Sequence, residues 1–248
     1  MTTTTQPSAA PTTQPPPGAG TWTFVLAGVT TTVAIVDVLF FAIIREVIPP
    51  LAVGVALTVV GVALLRTRRR AGTIVVGLTS AVMLAGGLGF ATAHFGHPES
   101  GVDWAHAVIG SAGRVLAIAA AVAAWRGGSE HAARRTGASA LGALGLVLTV
   151  ALVTTVATSG DAAEPDDVTV TVERALFPEG LVVSSGEVLH VDNRDLVRHT
   201  FTVEGTDVDV ELPARQGVRV PIDLATGTYE LVCEIPGHEA MTSTLTVR

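Results

Sequence analysis

Five long apolar runs fill most of the first 160 residues, at about 22–44, 48–65, 72–93, 104–125 and 137–158. A helix needs roughly 17–25 such residues to cross a bilayer. A helix is also one of the few ways to satisfy every backbone N–H and C=O inside hydrocarbon. Nothing similar recurs after residue 160. The chain therefore divides into an α-helical membrane bundle of five spans and a C-terminal part built on other rules.

Composition agrees with that division. Hydrophobic residues make up 48% of the 248 and charged residues only 15%, well short of the usual quarter. All basic residues are arginine. Residues 1–160 carry 9 Arg against 5 acids, whereas 161–248 carry 6 Arg against 17 acids, so the net charge of −7 hides +4 and −11. An acidic soluble part excludes a nucleic-acid binder. A single cysteine excludes a disulfide scaffold.

Arginine placement orients the bundle. Arg66, Arg68, Arg69 and Arg70 follow the second run, and Arg126, Arg134 and Arg135 follow the fourth. The positive-inside rule puts these loops in the cytoplasm, and with them the N-terminus. The acidic C-terminal part is then extracytoplasmic. Residues 1–21 are Thr-, Pro- and Gln-rich without charge, which reads as a disordered cytoplasmic tail. No basic n-region precedes the first run, so that run is expected to be an anchor and not a cleaved signal.

Two charges fall inside spans. Asp37 and Arg114 lie roughly 10 and 15 Å below the outer surface at 1.5 Å per residue. Intramembrane charges normally find partners, so an Asp37–Arg114 ion pair is expected, either as an architectural clamp or as a proton or quinone site. His94, His97 and His106 bracket the outer loop between the third and fourth runs, with Glu99 and Asp103 nearby. They are either solvated loop histidines or ligands to a metal or haem.

From residue 161 the periodicity changes. An acidic linker (159–167) leads to short Val/Thr-rich segments at 168–174, 187–193, 199–203, 207–212, 217–223, 228–233 and 242–247, with turn residues between them. Seven or more short strands in some 80 residues predict a small antiparallel sandwich or barrel over 168–248. A core that small gains from a bound metal.

The segment YELVCEIPGHEAM (229–241) holds Cys233, His238 and Met241 between the last two predicted strands. A thiolate, an imidazole and a thioether within nine residues form a ligand set for copper, and a second imidazole completes a type 1 electron-transfer site. His199, in NRDLVRHTF, is placed to supply it. A metal bond also explains a lone cysteine outside the membrane.

These residues resemble the cupredoxins, the fold of plastocyanin, azurin and amicyanin, over roughly 165–248. The resemblance rests on Phe177-Pro178, on Asn193 ahead of His199, and on a Cys-x4-His loop with Pro236-Gly237 before His238. It implies a Greek-key sandwich with His199, Cys233 and His238 as equatorial ligands and Met241 as axial ligand to one copper. The His-to-Met gap is amicyanin-like while the Cys-to-His gap is azurin-like. Thr200 stands where many relatives have an Asn that ties the ligand loops together. His190 is expected to be an ordinary surface or core residue.

The implied function is one-electron transfer on the outer face of a bacterial membrane, without catalysis. The expected partner is a redox protein such as a cytochrome or membrane oxidoreductase, drawn by Glu234 and Glu239, with lipid around the spans. Copper handling, and a cupredoxin acceptor fused to a quinone- or haem-linked membrane module, are the alternatives. One cysteine excludes a binuclear copper centre. The absence of His-x-His pairs in the C-terminal part excludes multicopper oxidase chemistry.

Overall fold

A computed structural model describes residues 18–248. The tail expected at 1–21 lies outside the described residues up to residue 17, and its last three residues open the first helix. Six helices come first: α1 (Ala19–Ile44), α2 (Pro49–Thr67), α3 (Arg69–Gly86), α4 (Leu88–His94), α5 (Gly101–Arg126) and α6 (Glu130–Ala157). Pro49 and Pro50 start α2 where a missing N–H costs nothing. Ser129 caps α6 through the Ala132 N–H.

Among the described residues, four helices are long and apolar enough to cross a membrane, and α3 with α4 makes a fifth if the bent pair is one span. The third run was expected to be one continuous span over 72–93. It is broken by a 57° bend at Gly86-Gly87, the one place in the segment where two glycines, residues of weak helix propensity, are adjacent.

α5 packs along α1 and α3, and α2 packs on α3. A Cβ on Gly113 would lie 2.4 Å from Val33 Cγ2, so only glycine lets α5 approach α1 so closely. Leu26, Leu65, Val76, Ala120 and Ala124 form a dry cluster at the end of the bundle remote from the β-domain. The lateral faces are rich in exposed Leu and Val, as a lipid solvent requires.

Eight strands follow: β1 (Val168–Val172), β2 (Leu181–Val183), β3 (Val188–Asn193), β4 (His199–Val203), β5 (Asp209–Leu212), β6 (Gly217–Pro221), β7 (Gly227–Val232) and β8 (Thr242–Val247). They form two sheets, β1-β3-β6 and β2-β8-β7-β4-β5. The sandwich is not purely antiparallel as expected, because β1 pairs parallel to β3 and β2 parallel to β8. Strand β2 is an eighth strand, three residues long and too short for period-2 alternation to mark it. Val172, Leu189, Phe201, Leu212, Ile222, Leu231 and Leu245 fill the space between the sheets. The stretch read as a linker is held down. The Asp161 N–H donates to Gly217 O at 2.8 Å, and Arg219 pairs with Asp167 and Glu164.

Candidate metal centre

His199 opens β4, Cys233 follows β7, and His238 and Met241 lie in the loop that leads into β8. β4 and β7 are neighbours in the five-stranded sheet, with Thr202 opposite Val232. This register brings the strand beginning at His199 against the strand ending at Cys233. The loop folds back on itself. Cys233 N–H donates to Met241 O (3.1 Å), Met241 N–H to His238 O (2.8 Å) and His238 N–H to Ile235 O (2.9 Å). Gly237 takes φ +99° at the turn, a conformation that L side chains rarely adopt.

One donor atom from each of His199, Cys233 and His238 lies within 4.8 Å of the others. The two Nδ1 atoms face each other at 3.2 Å, and Cys233 Sγ is 3.5 Å from His238 Nδ1. That spread matches ligand atoms about 2.0–2.3 Å from a shared centre. His199 and Cys233 are buried and His238 is half-buried. Met241 is fully buried, packed in the sandwich core.

The surroundings prepare these donors for a metal. His199 Nε2 donates to Asp195 Oδ2 at 2.9 Å, which leaves Nδ1 for the centre and fixes the ring. Asp195 is held in turn by the N–H groups of Arg174 and Ala175, both at 2.8 Å. Those two residues have φ of 59° and 51°, a strained left-handed pair. Asn193, fully buried, donates to the carbonyls of Val197, Leu212 and Pro213 and accepts the Asp195 N–H. The Thr200 N–H donates to Cys233 Sγ at 3.4 Å, and Thr200 Oγ1 accepts the Glu234 N–H at 2.8 Å. The threonine hydroxyl thus ties the two ligand segments together.

Burial by itself would push the Cys233 thiol up. Hydrogen bonds from His199, His238 and the Thr200 N–H outweigh it and hold the thiol at about 5, so a thiolate stands ready at neutral pH. Burial likewise opposes the charged His199 ring, but Asp195 and Cys233 raise it above the ordinary histidine value. The Asp195 carboxyl is raised by burial and lowered more by His199, Ala175 and Arg174, ending below the usual carboxylate range.

The candidate residues of the helical half form the expected Asp37–Arg114 ion pair, joined by His106, but no metal cluster. Among the described residues, the three-residue cluster above is the one group of His, Cys, Asp and Glu arranged to hold a metal. His94 is fully buried with Nδ1 donating to Phe90 O at 2.7 Å, and His97 pairs with Glu99 at 2.9 Å. His106 is buried, with Nε2 3.1 Å from Asp37 Oδ1, and Arg114 Nη2 donates to Asp37 Oδ2 at 2.9 Å. His94 and His106 are therefore not solvated loop residues. His190 Nε2 donates to Asp161 O at 3.0 Å.

The end of the sandwich that carries His199 rests on the α4–α5 turn. Arg198, next to His199, gives its N–H to Asp103 Oδ2 (2.6 Å), Nη2–H to Ala93 O (2.5 Å) and Nη1–H to Glu211 Oε2 (2.5 Å). Ala214 N–H donates to Ser100 Oγ at 3.1 Å. Sequence reasoning missed Asp195, whose only signal is its place four residues before His199. It also missed the Arg198–Asp103 contact, which has no sequence signal.

Residues 146–247 match the family model of the cupredoxin-like domain. No curated protein matches the chain. Among solved structures it is similar to a mutant of amicyanin in the reduced state, with 17% identity over 35% of this chain and 86% of that one and a TM-score of 0.30. It is similar to an oxidised amicyanin mutant at 14% identity, over 36% and 87%, with a TM-score of 0.29. It is also similar to the copper-containing nitrite reductase of Thermus scotoductus SA-01 at 24% identity, over 37% of this chain and 24% of that one, with a TM-score of 0.30. The C-terminal part of the chain is a cupredoxin-like domain. It is fused to a helical anchor, and its fold and its His199–Cys233–His238 donor set indicate copper.

Proposed function

We propose that this protein is a membrane-anchored type 1 copper protein that carries single electrons on the outer face of a bacterial membrane. The carrying observation is the convergence of His199 Nδ1, Cys233 Sγ and His238 Nδ1, with Asp195 behind His199. Met241 would be the further ligand to a copper held there, a role supported by its burial within the same closed loop. Copper bound there supplies a one-electron couple. The chain's own contribution is rigidity. β4 and β7 hold His199 and Cys233, Asp195 and Thr200 lock the ring and the thiolate, and burial excludes water from both.

The extracytoplasmic side follows from the arginine-rich loops at 66–70 and 126–135. In this organisation 22–158 is the five-span unit, 159–167 the connecting stretch and 168–248 the copper domain. The partner is a redox protein such as a cytochrome or membrane oxidoreductase. Exposed Glu234 and Glu239 flank the half-buried His238 and favour a cationic docking face. A single closed donor set supports a carrier over a catalyst. A second reading, in which the domain accepts electrons from its own helical half, is favoured by the hydrogen bonds that join Arg198, next to His199, to Asp103 and Ala93 of the helical half.

The test is the visible spectrum of the full chain loaded with Cu(II), beside Cys233→Ser. The expected result is an intense Cu–thiolate band, lost in the variant and bleached by mild reductant. A colourless protein that still binds Cu(I) overturns electron transfer and supports copper handling. A haem signal in a reduced-minus-oxidised spectrum of the full chain would favour the second reading.

A further inference from the structure

We propose that the helical half contains a proton relay, formed by His106 and Asp37 with Arg114, opening onto a hydroxyl-lined pocket in the middle of the bundle. Three independent observations carry it. The first is charge where charge is expensive. Asp37 is 3% exposed, and its two carboxylate oxygens take His106 Nε2–H and Arg114 Nη2–H separately. An ion pair serving only as a clamp needs no third titratable partner.

The second is an orphaned atom. His106 is 8% exposed and its Nδ1 has no hydrogen-bond partner. The ring is held by Phe40 stacked at 4.1 Å and by Phe90 edge-on at 5.4 Å. A buried bare nitrogen costs free energy unless something meets it, and the group that suits a bare imidazole nitrogen is a proton or a donating water. The third is the pocket. Thr30, Thr58, Thr79, Ser80, Asp37 and Arg114 line a space of about 10 Å³, near the size of a single water site. Beyond it the bundle is closed by Leu26, Val76 and Ala120.

The transfer balances in one cycle. A hydronium ion leaves its proton on His106 Nδ1 and departs as water, the Nε2–H bond breaks toward Asp37 Oδ1, and the protonated Asp37 donates a hydrogen bond to water in the pocket. The reverse sequence returns it. No electron moves. The charged and titratable groups around His106 are Asp37 from α1, Arg114 and Asp103 from α5, and His94 from α4, which reaches it through Phe90. α2 and α3 supply Gly54, Thr58, Thr79, Ser80 and Met83 to the pocket, none of them charged.

The test uses the full chain, metal-free, in lipid nanodiscs with 15N-labelled histidine, so its result is independent of the copper reading. The His106 signal is identified by its loss in His106→Gln, which can still hydrogen-bond Asp37 but cannot become a cation. The relay predicts that this signal converts reversibly between the neutral tautomer and the imidazolium. It also predicts that Thr79→Val with Ser80→Ala slows exchange of its ring N–H with water about tenfold while leaving helix content unchanged. A signal held in one protonation state wherever the protein stays folded, or exchange indifferent to the pocket hydroxyls, overturns the relay and leaves a structural clamp.

Discussion

Asp195 stands behind the ligand ring, and its effect should be measurable without disturbing the ligands. Asp195→Asn keeps the shape but replaces a charged acceptor of three hydrogen bonds. Copper(I) affinity should fall about 10–100-fold, the usual cost of losing a partner that orients a metal-bound histidine. Competition against a Cu(I) chelator reads this, and unchanged affinity would mean that the strand alone orients His199. The thiol makes a second test. With Cys233 at about 5, ultraviolet thiolate absorbance of the apo-protein, corrected with Cys233→Ser, should titrate near there and not in the ordinary thiol range. The sign for stability follows. A depressed acid contributes fully above its unfolded value and loses that contribution as pH falls through the folded one, so the apo-domain should weaken on acidification toward about 5. His199, raised in the fold, works oppositely and loses its contribution as pH rises through its folded value. His199, Cys233 and His238 were legible as residues because few donors combine softness with such spacing. Asp195 was not, since an acid four residues upstream is common and only the folded loop turns it onto the ring.

Thr200 shows how strands are coupled beyond their ladder. Its hydroxyl accepts the Glu234 N–H and the Thr202 hydroxyl, so Thr200→Val should destabilise the apo-domain by about 1 kcal/mol. Thermal unfolding of the full chain in detergent measures it. Gly237→Ala should cost a similar amount, about 1 kcal/mol, because φ +99° is strained for alanine. Both changes should speed copper loss, since both loosen the Cys233–His238 segment. The long helices were legible because twenty apolar residues admit almost no other structure, and the alternating strands because period 2 marks a half-buried face. Strand β2 and the parallel pairings were not legible. Three residues carry no periodicity, and partner choice between strands depends on how the two sheets close over Phe201 and Leu231.

The β-domain and the helices meet through Arg198, next to His199 in the chain, and through Ser100 and Asp103. Arg198 is 3% exposed and serves two backbone or carboxylate acceptors on the helical half and one on β5. Arg198→Ala should lower amide protection across 94–101 and β4 by at least about tenfold in hydrogen exchange of the full chain, with the copper band retained. Unchanged protection would show that the two halves sit together without it. The division into a membrane bundle and a β-domain, and the soft donor set, followed from composition, hydropathy length and ligand chemistry. These are local properties, written in runs of about twenty residues or in one short loop. The meeting of Asp37 with His106, of Asp195 with His199 and of Arg198 with Asp103 depended on the fold. Two of these pairs join residues 69 and 95 positions apart, and the third depends on a turn built from residues 174 and 175. Contacts of that kind are set by how helices and sheets pack in three dimensions, which no local pattern encodes.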